Sequence, residues 1–332
     1  MRLSPRATGI AAAVITVAIW TGFIVIGRAS AGRTLLPFDF GLLRVLGASA
    51  VLLPWGWWLT RGRRDTASSS LLGLSPLPLH QKELADFFGG FIYAVLCYAG
   101  FFYAPAAHAS VLMPGSLPLW TALLAAVVLR DPITPARALG LACIVVGDLV
   151  VGGASLLQAF NGGSVWKGDV IFMSAAFCWS VYSVLARKFG LEAVRATIAI
   201  TAFAFCTYVP LFALLTASGV LPTHLASAPW GEIAFQALFQ GVGSVVISGI
   251  TFVQMVRAFG PVKSTMITAL VPGLSALGAV LLLGEPLGWN LLAGLALVTA
   301  GILFGVRATP QKTTDLIAAR AYPASAGAPK QS

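Results

Sequence analysis

Two phrases with the same frame, "WTGFIVIGR" at residues 20–28 and "WSVYSVLAR" at 179–187, each place seven residues between a tryptophan and an arginine. An indole face can stack on a flat or apolar solute, or hold a cation against its ring. Other groups able to bind a solute sit in equally apolar surroundings: Tyr93, Cys97 and Tyr98, then Tyr182, then Gln240, Ser244 and Ser248. Pro118 and Pro272 lie in two further apolar runs, and inside a helix each would free the carbonyl four residues back, at Pro114 and Thr268. Arg44 is the basic residue set deepest in an apolar stretch, and a charge there needs a partner. Asp39 lies five residues away, about 140° round a helix and poorly placed. Asp148, at a comparable depth in another stretch, is the preferred counter-ion.

The elements that must position these groups follow from composition. The 332 residues are 58% apolar and 10% charged with a mean hydropathy of +0.88, whereas soluble domains carry about 25% charged residues. A bilayer core takes about 20 apolar residues per helix, and ten windows of that kind lie between charged or Gly/Pro-rich breaks. They run roughly over 8–29, 36–60, 84–106, 108–129, 134–153, 167–186, 196–219, 231–256, 262–283 and 286–306. Strands of a membrane barrel would be short and alternate apolar with polar residues, which these windows do not. The fold expected is an all-α integral membrane protein of ten transmembrane helices. At 1.5 Å per residue, Trp20 and Trp179 then fall near the bilayer centre, although tryptophan prefers the interfaces. That placement points to an interior wall; close packing between helices is the alternative. The tyrosines, Gln240 and the serines must also turn inward, because polar groups facing lipid are costly.

A formal net charge of +10 could mean a nucleic-acid partner, but the distribution of charge argues otherwise. With the N-terminus in the cytoplasm, 17 of the 21 Lys and Arg residues fall inside and only Arg28, Arg33 and Lys167 outside. That bias predicts both termini in the cytoplasm and a multi-pass protein of the inner membrane, with lipid and a small solute as partners and no nucleic acid. A monomer is expected. "MRLSPR" followed by an apolar stretch, and "ASA" at 29–31, have the outline of a cleaved signal. Cleavage would delete one of the two Trp–Arg frames, so the first helix is read as retained. The basic, then Ser/Pro/Leu-rich segment 61–83 is read as a cytoplasmic loop and 307–332 as a disordered tail. Cys97, Cys143, Cys178 and Cys206 lack metal-like spacing, and His80, His108 and His224 are isolated, so no metal and no cofactor is expected.

The Trp–Arg frames, 159 residues apart, belong to a longer self-similarity. "LRDPITPARALGLACIVVG" (129–147) matches "LGEPLGWNLLAGLALVTAG" (283–301) at an offset of 154, pairing Asp131 with Glu285, Gly140 with Gly294 and Gly147 with Gly301. Asp131–Pro132 and Glu285–Pro286, like Asp169, read as helix starts. Two units of five helices, 1–153 and 154–306, must enter the membrane from opposite sides because five is odd. Inverted repeats of this kind build secondary transporters, with substrate near the midplane at the repeat interface.

"GDVIFMSAAFCWSVYSVLARKF" (168–189), "AFGPVKSTMITALVPGLSALGAVLLLGEPL" (258–287) and "AIWTGFIVIGRA" (18–29) resemble the repeat motifs of the drug/metabolite transporter superfamily, EamA type. The resemblance runs from about residue 8 to 306. It implies two inverted five-helix repeats, a central cavity walled by the first, third and fourth helices of each, and export or exchange of small organic solutes, amino acids among them. A membrane-embedded enzyme and a channel or receptor without carrier activity are the competing classes. HExxH and GxSxG motifs and a paired intramembrane carboxylate motif are missing, and an inverted repeat speaks for a carrier.

Overall fold

A computed structural model describes residues 5–61, 83–189 and 192–307, and among them every regular element is helical. Eight helices are long and apolar enough to cross a membrane, and two shorter apolar helices complete the bundle. In chain order they are α1 Arg6–Ser30, α2 Pro37–Thr60, α3 Phe87–Phe101, α4 Ala106–Val128, α5 Pro135–Ala159, α6 Val165–Lys188, α7 Val194–Ala217, α8 Trp230–Gly260, α9 Met266–Leu283 and α10 Trp289–Gly305. The loop expected over 61–83, with His80, and the tail beyond 307 lie almost wholly outside the described residues.

Local chemistry sets the ends. Pro37 and Pro135 begin their helices with the fixed φ that suits a first turn. The Thr134 side chain accepts from Arg137 N–H, and Glu192 accepts from the N–H groups of Val194 and Arg195. At the other end of α4 and α9 the chain does the same thing twice. Arg130 (φ 57°) and Gly284 (φ 66°) are left-handed, and the next N–H, of Asp131 or Glu285, reaches back to the carbonyl of Ala125 or Ala279 at 3.3 and 3.1 Å. The acidic residues therefore close the ends of α4 and α9 and do not open the helices that follow, as their proline neighbours led us to expect. Those helices begin at Pro135 and Trp289. Asp169 is likewise displaced from its expected role: α6 starts four residues earlier, and Asp169 is buried.

Three helices carry π-helical stretches, Phe87–Ile92 in α3, Val111–Gly115 in α4 and Ala237–Ile247 in α8. α9 is interrupted at Ala269. α3 is shorter than its apolar window, because the chain turns at Phe102–Ala104 and Pro105 leads into α4.

Packing follows small residues. α5 and α10 cross with backbones almost touching: a Cβ at Gly140 would stand 2.7 Å from the Gly301 carbonyl oxygen, and one at Gly147 would stand 2.8 Å from that of Gly294. α1 packs on α8 and α9, and α2 on α8; α6 packs on α3 and α4, and α3 on α7. α2 and α7 also meet. The bundle thus has two groups, α1–α2–α8–α9 and α3–α4–α6–α7, each drawing helices from both halves of the chain. Arg28 contacts Glu285 and the Phe101 carbonyl, which brings the C-terminal ends of α1, α3 and α9 to one end of the bundle, here called the distal end; the opposite end, where α1 begins, is called the terminal end.

Candidate functional site

A cavity of about 440 Å3 opens between the two groups of helices, within the range of small-molecule sites. Its walls come from α1, α2, α3, α4, α6, α7, α8 and α9. All three π-helical stretches contribute: Gly89 and Gly90 from α3, Met113 and Pro114 from α4, Ser244 and Val245 from α8. Such stretches widen a helix and leave carbonyls off the regular ladder, and they recur at functional sites.

Trp20 and Trp179 line this one cavity. Trp20 stacks on Phe252 at 5.4 Å between ring centroids; Trp179 meets Tyr93 at 4.7 Å and Tyr182 at 5.2 Å. The lining continues the offset of the Trp–Arg frames. Phe23 stands to Tyr182, and Ile24 to Ser183, as Trp20 stands to Trp179, and all six line the cavity. Further along, Val45 and Thr201, Gly89 and Ser244, Tyr93 and Ser248, and Leu117 and Val271 form lining pairs at offsets between 156 and 154.

Of the other residues singled out from sequence, Tyr93, Tyr182, Ser244, Ser248 and Arg44 line the cavity. Tyr98 and Gln240 are buried behind its wall in a polar chain: Tyr98 OH donates to Gln240 Oε1 (3.2 Å), Gln240 Nε2 to Gln236 Oε1 (3.3 Å), and Gln236 Nε2 to Ser30 Oγ (2.8 Å). Pro118, Pro272 and Thr268 are outside the lining; Pro114, Leu117 and Val271 beside them are in it. Sequence reasoning missed Phe23, Ser183, Thr197, Thr201 and Phe252. The offset of the Trp–Arg frames, carried from Tyr182 to its counterpart, would have found Phe23.

The pairing of Arg44 with Asp148 is corrected. Asp148 lies on α5, which packs against α10, and its Oδ2 accepts from Ser116 Oγ at 2.9 Å. Arg44 lies on α2 and faces α8, where its Nη1 donates to the Gln240 carbonyl at 3.3 Å and its guanidinium stands 5.6 Å from the Phe23 ring. Equal depth in the membrane does not make two helices neighbours.

Polar contacts are concentrated at the distal end. Arg28 pairs with Glu285 (3.0 Å) and donates to the Phe101 carbonyl (2.6 Å), while Glu285 accepts from the N–H groups of Ala106 and Ala107 (3.2 and 3.3 Å) at the start of α4. Nearby, Nδ1 of His108 lies 2.8 Å from Asp169, which also accepts from Ser155. At the terminal end Arg187 pairs with Asp131. Among the described residues that pair makes no hydrogen bond to the opposite group of helices equivalent to those at the distal end. The lining reaches toward both ends: Gly89 and Gly90 are within two turns of the terminal end of α3 and Ser183 of that of α6, while Ile24 and Arg44 are within two turns of the distal ends of α1 and α2.

The model of the EamA-like transporter family matches residues 7–153 and 166–307. This chain belongs to the EamA-like transporter family. It is therefore a multi-pass membrane transporter with a small solute as its cargo. It is 27% identical over 216 residues to the uncharacterized transporter YyaM of Bacillus subtilis, a match covering 65% of this chain and 69% of that one. To an uncharacterized transporter of Archaeoglobus fulgidus it is 29% identical over 209 residues, covering 61% and 65%. A solved crystal structure shares the fold with a TM-score of 0.56 over 90% of this chain and 97% of the other, at 21% identity.

Proposed function

We propose that the protein is a secondary transporter that carries small amphipathic organic solutes, amino acids or related metabolites among them, outward across the inner membrane by alternating access. In this reading ten helices cross the bilayer, residues 1–153 and 154–306 are inverted repeats, the terminal end faces the cytoplasm, and the carrier works as a monomer. The observation that carries it is the wall of the cavity, whose residues correspond across the two halves from Trp20 and Trp179 to Leu117 and Val271. The α5/α10 crossing supports it as well. Exchanging each glycine for its counterpart in the other half turns the Gly140–Gly301 contact into Gly294–Gly147, as a two-fold axis through the crossing requires.

The same exchange turns Arg28–Glu285 into Arg187–Asp131, one latch at each end. At the distal end the latch also holds the backbone of α3 and α4, so that end is closed; at the terminal end it does not. The moving bodies in this account are the α1–α2–α8–α9 and α3–α4–α6–α7 groups, not the two halves of the chain. Rocking about the α2/α7 and α5/α10 contacts would release one latch as the other engages.

Purified protein in proteoliposomes, screened against a solute panel with and without a pH gradient, tests the reading. Saturable counterflow, with uptake accelerated by unlabelled solute on the far side, is expected. A flux that rises linearly with concentration and shows no acceleration would indicate a channel.

A further inference from the structure

The walls of the cavity correspond in position across the two halves, and one of the corresponding pairs differs in charge. The counterpart of Arg44 on α7 is Ile200, which also lines the cavity. One wall therefore carries a permanent positive charge and the other a butyl group. A guanidinium offers five N–H donors in a planar fork. Arg44 meets only uncharged partners, the Gln240 carbonyl through a long hydrogen bond and the Tyr98 hydroxyl, and among the described residues no carboxylate lines the cavity with it. Holding a cation inside a membrane protein without a counter-charge is expensive, and packing does not require it, since the other half does without one. Ser244 supplies a second polar group. It lies one turn along α8 from Gln240, lines the cavity, and its buried hydroxyl has no partner. Phe23, beneath the guanidinium, is one turn from Trp20, so the charge adjoins the aromatic wall.

We propose that Arg44 determines specificity and that the solute is an organic monoanion: its carboxylate docks on the Arg44 guanidinium and the Ser244 hydroxyl, and its apolar body lies between Trp20 and Trp179. The carboxylate supplies the counter-charge that the walls lack, in the bidentate geometry a guanidinium favours. A zwitterion fits less well, because no acidic side chain among the described residues lines the cavity to receive its ammonium group. This inference rests on the transporter reading and narrows its substrate class.

The test compares three solutes of one shape, 3-phenylpropanoate, its primary amide 3-phenylpropanamide and the zwitterion phenylalanine. Binding to the intact detergent-purified protein is read by quenching of tryptophan fluorescence. The carboxylate should bind at least tenfold more tightly than the amide and more tightly than the zwitterion. Arg44→Gln should remove the preference for acid over amide, and Arg44→Lys should keep part of it. Equal binding of acid and amide by the wild type, no binding of the acid at millimolar concentration, or an undiminished preference in Arg44→Gln would each overturn the proposal. The wild-type comparison stands even if the variants do not fold. Saturable counterflow of an uncharged or cationic solute in the same preparation would leave the carrier reading standing while this one falls.

Discussion

At the scale of single residues, the two tryptophans bring aromatic surface to the middle of a membrane bundle, where hydrocarbon packing alone would favour Leu or Ile. Trp20 on Phe252, and Trp179 between Tyr93 and Tyr182, form two aromatic clusters on opposite walls. Aromatic contacts of this kind contribute about 1 kcal/mol each beyond the area they bury. Trp20→Ala and Trp179→Ala should therefore each slow transport about tenfold with the protein still inserted, and phenylalanine at either position should keep most of the rate. Full activity in both alanine variants would remove them from the site. These residues were legible because the repeated frame marked them, and their depth in the helices followed from counting. The partner of Arg44 was not. Depth gives a residue's height but not which helices stand beside it, and the Gln240 carbonyl is a backbone atom that no side-chain pattern announces.

At the scale of elements, boundaries could be read where chemistry is local, as at Pro37, Thr134–Pro135 and Gly284. They were misread where long-range contacts decide: Asp131 and Glu285 look like helix starts but lie at helix ends and form ion pairs with Arg187 and Arg28. The π-helical stretches had no sequence signature, because a wider turn is set by what the helix packs against. Arg130 holds the left-handed conformation that Gly284 takes in the other half. A side chain there costs roughly 1 kcal/mol, so Arg130→Gly should raise the melting temperature; a fall would contradict the assigned geometry. At the α5/α10 crossing, Gly301→Leu should destabilise by about 1–3 kcal/mol, as its Cβ would stand 2.5 Å from the Gly140 carbonyl oxygen. Gly152→Ala on α5 meets open space and should be neutral or slightly stabilising. Thermal unfolding of the two glycine variants in one detergent reads the contrast directly.

At the scale of the whole molecule, the proposed duplication rests on collinear matches in the sequence such as Asp131 with Glu285, and the structure adds a central cavity to that reading. Which end the proposed mechanism would close in this structure was not legible, because each half supplies an arginine and an acidic residue at the corresponding positions. The difference lies in what each pair reaches: Arg28 and Glu285 hydrogen-bond to the backbone of Phe101, Ala106 and Ala107 in the other group of helices, and Arg187 and Asp131 have no such contact among the described residues. The central claim, one cavity exposed to one side at a time, is tested most directly by labelling Ser244→Cys. A membrane-impermeant maleimide is applied to right-side-out and inside-out vesicles, with the parent protein as the reference for its four free cysteines. The account predicts reaction from the cytoplasmic side alone, a gain of reaction from the outer side when Glu285→Gln weakens the distal latch, and no such gain with Asp131→Asn. Reaction from both sides before any latch is altered, or an unchanged pattern with Glu285→Gln, would contradict it.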